Sequence, residues 1–359
     1  MRAVILRELN QDFEIRDDVE LHGPGPGEVR MRMVASGLCH SDVSFQNGTA
    51  PVRLPSVVGH EGAGEILAVG EGVDGVAVGD HAVISWVPPC GRCFFCLERQ
   101  PNLCLTGLIQ AATTPHFKLG DEDIFSGVGT ATFAEETVIP AAGAIVIPKD
   151  IPLDIAALVG CGVMTGVGAV VNAARLRPGS SVLVIGCGGV GVSVIMGARA
   201  AGAAEIVAVD TVERKLEWAQ QFGATHTAKP EELEALKGEL TQGRGFDYAF
   251  EVVGVTDTIQ TAWANTRRGG TTVVVGMPRA GQMVELDAYE IFFSEKTLVS
   301  SFYGSGDVRT DFLRWLRMWQ RGQLDLEAMV TRRIDLGEVN DGVRAMLAGE
   351  VIRTVIEFK

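Results

Sequence analysis

The sequence predicts an α/β protein of two domains, an irregular β-rich domain followed by a doubly wound parallel sheet. The opening third breaks into short alternating strands punctuated by glycine and proline. After about Ile151 the pattern changes to apolar strands alternating with helices, which is how a parallel sheet with crossover helices reads. At 359 residues the chain also exceeds the usual size of a single hydrophobic core.

Taken in order, AVILREL and EVRMRMVAS lie on either side of the turn-rich HGPGPGE. In the second, Arg30 and Arg32 point one way and Met31 and Met33 the other, as in a half-buried strand. GLCHSDVSFQNG reads as a loop or short helix, and the glycine-rich stretch through GHEGAGEILAVG and DHAVIS as three more short strands. CGRCFFCLERQPNLC comes next, then TGLIQAATTPHFKLGDEDIFSG, expected as a surface loop, and the strands ATFAEETVIP and AIVIP.

From LDIAALVG onward the order is helix, helix, then SVLVIG, EIVAVD, FDYAFEVV and GTTVVVG as apolar strands with helices between them. The tail offers an amphipathic helix, DVRTDFLRWLRMWQRG, whose Phe312, Trp315, Leu316 and Trp319 form a core-facing stripe. A second helix, LGEVNDGVRAMLAGE, and a closing strand, RTVIEF, complete it. The expected boundaries are 1–162 with a cysteine loop at 88–106, then 163–301, then 302–359 returning to complete the first domain.

Composition narrows the function classes. A formal charge of −14 leaves no broad basic field for nucleic acid or an anionic membrane. MRAVILRELNQDFEIRDD turns acidic before it builds the apolar core of a signal peptide, and later apolar runs are broken by glycine or charge, so a cytoplasmic protein is expected. Seven cysteines are an odd number for a disulfide framework, and their clustering suits metal ligation.

Cys90, Cys93, Cys96 and Cys104 form a CxxCxxCx7C array that can close on one tetrahedral zinc with no position left for substrate. An iron–sulfur centre is the competing reading, disfavoured by the last spacing and by the absence of a following CP pair. Gly186, Gly188 and Gly191 of GCGGVG, with Gly189 and Val190 between them, follow an apolar strand and open a helix. That context, with Asp210 nineteen residues beyond Gly191, fits a dinucleotide whose pyrophosphate meets the turn and whose ribose hydroxyls meet the aspartate. An aspartate there repels a 2′-phosphate and so favours NAD over NADP. Arg214 and Lys215 read either as adenosine contacts or as a solvated helix face. Cys39, His60 and Cys161 are a candidate second ligand set, since two cysteines and a histidine make one known form of catalytic zinc site. Sequence spacing does not show that they converge.

With these motifs in place the chain resembles the zinc-dependent, medium-chain alcohol dehydrogenases along essentially its whole length, from GLCHSD and GHEGAG through the cysteine loop, CGVMTGVG, GCGGVG and IVAVD to IRTVIEF. The resemblance implies a GroES-like catalytic domain, a Rossmann NAD domain, NAD as cofactor and two zinc ions per subunit. It implies that Cys39, His60 and Cys161 hold the catalytic zinc, with Glu61 just behind it and Asp42 orienting the histidine. Ser41 would be the hydroxyl on the substrate oxygen, Thr165 a neighbour of the nicotinamide, and Arg353 and His40 contacts to the cofactor phosphates. Trp86, Val128 and Met277 match positions flanking the substrate. Relatives often carry a histidine in the proton relay where this chain has Ser44, which leaves the outer end to water or His40.

The activity implied is reversible hydride transfer from a zinc-bound primary alcohol, with allylic, benzylic and medium-length alcohols as the candidates, to NAD. An alternative is a formaldehyde dehydrogenase acting on a glutathione or mycothiol adduct. A non-catalytic NAD-binding protein is the remote one, and it fits poorly with a full set of candidate ligands plus Ser41 and Asp42. A homodimer or homotetramer is expected, paired through the strand near TLVSSFYG.

Overall fold

A computed structural model describes residues 1–359, apart from the side chains of residues 110–112. Two compact units divide the chain: Met1–Cys161 with Asp307–Arg317 and Leu326–Lys359, and Gly162–Gly306 with Met318–Asp325. The helix Val308–Gln320 contributes residues to both. In its stripe Phe312, Trp315 and Leu316 are buried, whereas Trp319 is only half-buried.

Among the described residues the first unit holds two sheets. One runs Glu14–Arg16, Ala3–Leu6, Ser56–Val57, Glu122–Ser126, Phe117–Leu119 and Glu20–Leu21. The other is centred on the long strand Glu28–Leu38, which pairs antiparallel with Gly62–Val69, Glu136–Pro140 and Arg353–Glu357. Alternation along the long strand buries Val29, Met31 and Met33 and sends Arg30 and Arg32 outward to pair with Glu136 and Glu65 of the adjacent strands. The tail is part of this unit: Ile334, Leu336, Val339, Val343 and Ile356 share a core with Val4, Leu38 and Val43.

The stretch after the cysteine loop departs from expectation. It forms a helix, Leu105–Thr113, and a hairpin of Phe117–Leu119 with Glu122–Ser126. Phe117 and Ile124 oppose each other across the hairpin and are buried with Ala3, Ile5 and Val57. Strands this short carry too few alternations to register, and the polar residues around the two-residue turn Gly120–Asp121 hide them further.

The second unit is a six-stranded sheet, here labelled β1 (Ser181–Ile185), β2 (Glu205–Val209), β3 (His226–Ala228), β4 (Phe246–Glu251), β5 (Thr266–Val274) and β6 (Thr297–Ser300). All its neighbours are parallel and the spatial order is β3-β2-β1-β4-β5-β6. Strands buried on both faces read as continuous apolar runs, as in Val182–Val184 and Ile206–Ala208. Strand order reverses between β1 and β4, and a crevice at the carboxyl ends of such a pair is where open α/β sheets bind ligands. No single helix among the described residues is long and apolar enough to cross a membrane.

Candidate active site and zinc centres

In the cysteine loop the four sulfurs of Cys90, Cys93, Cys96 and Cys104 lie within 4.8 Å of one another. Local backbone shapes the group: Cys90 N–H points at Cys104 Sγ at 3.3 Å, Cys93 N–H at Cys90 Sγ at 3.4 Å, and Gly107 N–H at Cys104 Sγ at 3.5 Å. Backbone donors, that of Arg92 foremost, pull the Cys90 thiol down to about 6. A cluster of sulfurs facing one another while receiving N–H groups is the donor set of a closed tetrahedral zinc. Phe94, beside it, is exposed and meets Phe95 edge-on at 5.5 Å.

Cys39, His60 and Cys161, far apart in the chain, also bring one ligand atom each within 4.8 Å, and all three are buried. Cys39 follows the long strand directly and caps the helix His40–Gln46, whose Asp42 returns an oxygen to Cys39 N–H at 2.9 Å. The other Asp42 oxygen lies 3.0 Å from His60 Nδ1, so Nδ1 carries the proton, because an ionised carboxylate only accepts. His60 Nε2 is buried with no hydrogen-bond partner among the described residues, an orphaned atom that a cation would satisfy. Burial opposes charge on this ring, but the Asp42 carboxylate and, after it, the Cys39 sulfur outweigh it and raise His60 to about 10. A metal bound there would displace a proton. Cys161 can come this close because Gly160 runs along the neighbouring backbone: a Cβ on it would sit 3.1 Å from Ile84 O and 3.6 Å from Glu61 Cα.

Around these ligands the structure groups several of the expected residues. Ser41 is half-buried, with its Oγ 3.7 Å from Cys39 Sγ. Ser44 turns inward and donates to His40 O at 3.3 Å, while His40 itself is exposed. Glu61 and Arg353, read from the sequence as separate contacts to metal and cofactor, are both buried and pair with each other. Gly37 makes room for that pair, since a Cβ on it would lie inside the Glu61 carboxylate. Trp86 meets His60 edge-on at 6.5 Å. Val128 sits in the turn Gly127–Gly129 with φ 46°, a left-handed conformation that is costly for a β-branched residue.

Sequence reasoning missed the supports. Phe45 packs edge-on to His60 at 6.2 Å; its place one helical turn beyond Ser41 was the available signal. Thr130 Oγ1 and Thr132 N–H both donate to Gly59 O at 3.0 Å, and Ser36 Oγ donates to Glu61 O at 2.9 Å. These donors, two hydroxyls and one backbone N–H, fix the backbone on both sides of His60, and no local pattern announces them.

In the second unit β1 is followed by Gly186, with φ 98°, and Gly188 caps the helix Gly189–Ala200. A Cβ on Gly191 would lie 1.9 Å from Gly186 O, whereas one on Gly188 would meet nothing within 4 Å. Backbone is therefore open at the middle glycine, the cradle a pyrophosphate requires. Asp210 Oδ2 accepts from Cys187 N–H at 2.9 Å and Oδ1 from Val212 N–H at 3.0 Å, tying the acidic residue to the turn. Lys215 Nζ lies 4.0 Å from that carboxylate, and Arg214 stacks over Trp218. Burial pushes the Cys187 thiol up, so it is packing rather than a nucleophile. Thr165 lies on the helix Gly162–Gly168, and Met277 follows β5 with half its surface exposed.

Comparison with known proteins settles the kinship. The model of the alcohol dehydrogenase GroES-like domain matches residues 25–149 and that of the zinc-binding dehydrogenases residues 189–318. The chain belongs to the zinc-dependent, medium-chain alcohol dehydrogenase family. It is 38% identical to an NDMA-dependent alcohol dehydrogenase of Amycolatopsis methanolica, covering 99% of this chain and 98% of the relative. Identity to an S-(hydroxymethyl)glutathione dehydrogenase of Paracoccus denitrificans is 33%, covering 99% of each. The crystal structure of a benzyl alcohol dehydrogenase from Acinetobacter calcoaceticus matches with a TM-score of 0.93 at 29% identity, over 100% of this chain and 99% of that one. The protein is a zinc- and NAD-dependent oxidoreductase of this family, with the GroES-like and Rossmann folds and the two zinc sites that the sequence led us to expect.

Proposed function

We propose that the enzyme reversibly oxidises a primary alcohol, allylic, benzylic or of medium length, to its aldehyde. The observation that carries this reading is the pair of aromatic edges against His60, from Trp86 at 88° and Phe45 at 84°. Flat apolar walls beside a zinc ligand accommodate a slender or planar alcohol and crowd a bulky secondary one. The likeness to a benzyl alcohol dehydrogenase supports it.

When bound, zinc supplies a positive charge that acidifies the alcohol, and NAD accepts the hydride. This chain's residues do the rest. Cys39, Cys161 and His60 Nε2 would hold the catalytic zinc, and Cys90, Cys93, Cys96 and Cys104 the structural one. Asp42 keeps the proton on His60 Nδ1, which leaves Nε2 to the metal. Ser41 Oγ would accept the alcohol proton as it releases its own hydroxyl proton outward, so the serine stays neutral throughout. Because Ser44 is committed to its own helix, the outer end of the relay falls to water or to the exposed His40. The Gly186–Gly191 turn, Asp210 and Lys215 would bind the adenosine diphosphate part of NAD, Thr165 would serve its nicotinamide, and His40, together with Arg353 if it exchanges its Glu61 partner, would serve its phosphates. Val128 and Met277 flank the substrate. Steady-state rates with ethanol, hexanol, benzyl alcohol and cyclohexanol test the reading. Hexanol or benzyl alcohol is expected to give the highest kcat/KM, and preference for cyclohexanol overturns it.

A thiol-adduct substrate is the second reading, favoured by the Paracoccus relative. Such a substrate brings carboxylates that need cations. Lys118, the only lysine or arginine between Cys104 and Lys149, sits on a strand opposite Glu20 and Asp123. Formaldehyde turnover with and without glutathione separates the two. Retention of NAD through gel filtration shows whether the cofactor exchanges, a point raised by the NDMA-dependent relative.

Self-assembly belongs to the same proposal. The edge strand β6 exposes Leu298, and the helix Ala288–Ser294 before it exposes Tyr289 and Phe292. A second copy paired along this edge would cover them. Light scattering of the wild type and Phe292→Asp tests it, with a smaller particle expected for the variant.

A further inference from the structure

Glu251, the last residue of β4, is fully buried, and the hydride-transfer chemistry makes no use of it. Its Oε1 accepts hydrogen bonds from Val253 N–H at 2.8 Å, Gly254 N–H at 2.7 Å and the Thr258 hydroxyl at 2.7 Å. Its Oε2 is buried with no hydrogen-bond partner among the described residues. Its main-chain carbonyl accepts from Val275 N–H at 2.8 Å and Gly276 N–H at 3.0 Å. One residue thus ties together the loop leaving β4, the first turn of the helix Thr256–Asn265 and the exit of β5. A carboxylate buried with one oxygen unpartnered costs stability that an apolar side chain would not, so its value lies in what it holds.

What it holds borders the glycine turn. A Cβ on Gly186 would lie 2.8 Å from Val253 Cγ2 and 3.4 Å from the Val252 carbonyl carbon. One on Gly276 would lie 2.1 Å from Gly254 N. The loop after β4 is therefore wedged between the turn after β1 and the backbone after β5. In the sheet, β2 with Asp210 flanks β1 on one side and β4 flanks it on the other. A dinucleotide centred on the turn with its adenosine toward Asp210 extends its other half toward the β4 loop.

We infer that Glu251 is a positioning residue for NAD, which by holding Val253, Gly254 and Thr258 preforms the wall that receives the nicotinamide half of the cofactor. This rests on NAD as cofactor and is independent of which alcohol is oxidised. Calorimetric titration of the zinc-loaded wild type, Glu251→Leu, Glu251→Gln and Thr258→Val with NAD and, separately, with AMP tests it. Glu251→Leu is expected to weaken NAD roughly tenfold or more and to leave AMP within about twofold, because only the far half of the cradle loses its support. Glu251→Gln, whose amide oxygen can accept the same three bonds, restores most of the affinity. Thr258→Val, lacking one of the three, weakens NAD by about threefold. Equal weakening of NAD and AMP, unchanged NAD affinity in a folded Glu251→Leu, or a Gln variant as weak as the Leu variant overturns the inference. If Glu251→Leu does not fold, unchanged NAD affinity in Thr258→Val overturns it.

Discussion

The cysteine loop and the dispersed Cys39, His60 and Cys161 group meet the same demand, gathering soft donors within 4.8 Å, by opposite means. In the loop the ligands are near neighbours in the chain, braced by N–H groups a few residues away, and three of the four are only partly buried. The dispersed ligands are wholly buried and depend on a strand end, a helix cap, a clamped turn at Gly59 and two aromatic rings. A locally coded site closes on itself and stabilises its lobe. A site assembled from distant segments can leave a ligand position open, because surrounding structure rather than a fourth ligand holds it in shape.

The sharpest way to break this contrast is to remove one ligand from each site. Cys39→Ala is expected to lower kcat by at least ~1,000-fold while NAD still binds and zinc falls to one per subunit. Cys93→Ala is expected to lose one zinc as well, but to show it as a lower Tm, with turnover kept by subunits that remain folded. Equal loss of turnover with intact folding in both variants removes the distinction. Next in size, Asp42→Asn should reduce catalytic-site zinc affinity or kcat/KM by about 10–100-fold, read by metal titration, since it alters the group that sets the His60 tautomer.

Smaller effects probe the long-range supports. Gly37→Ala places a Cβ against the Glu61 carboxylate and is expected to cost about 1–3 kcal/mol in urea unfolding, together with some activity. The buried His116 bonds Glu28 at 2.9 Å and Ser126, which precedes the Val128 turn, at 3.2 Å. This imidazole, acting against desolvation, holds the Glu28 carboxyl below its ordinary range. A depressed carboxyl adds stability above its unfolded pKa and loses it as pH falls through the folded one. Glu28→Gln should therefore cost about 1 kcal/mol at pH 7, and the difference from wild type should fade in acid below about pH 4. A pH-independent difference would assign Glu28 to packing.

Much of this was legible in the residues. GCGGVG with Asp210 announced the cofactor turn because each element of it is local: a strand, a turn, a helix start and an acid at the next strand end. The cysteine array was legible for the same reason. Glu61 and Arg353 show the limit. Each resembled a functional position, yet their mutual pairing could not be read, since it depends on the tail strand lying beside Ala35–Leu38 and on the absent side chain of Gly37. The hairpin after the cysteine loop was hidden by its shortness.

By itself, then, the sequence determined the family, the alternation that makes a parallel sheet, the closed zinc loop and the nucleotide turn, all encoded over spans short enough for periodicity and spacing to register. Tertiary structure alone decided that Cys161 reaches His60, that Phe45 and Trp86 flank that ring, that Glu61 faces Arg353, and that Glu251 braces the loop beside Gly186. Those relations join residues far apart in the chain, and their geometry exists only once strands have chosen neighbours and glycines have let backbones approach.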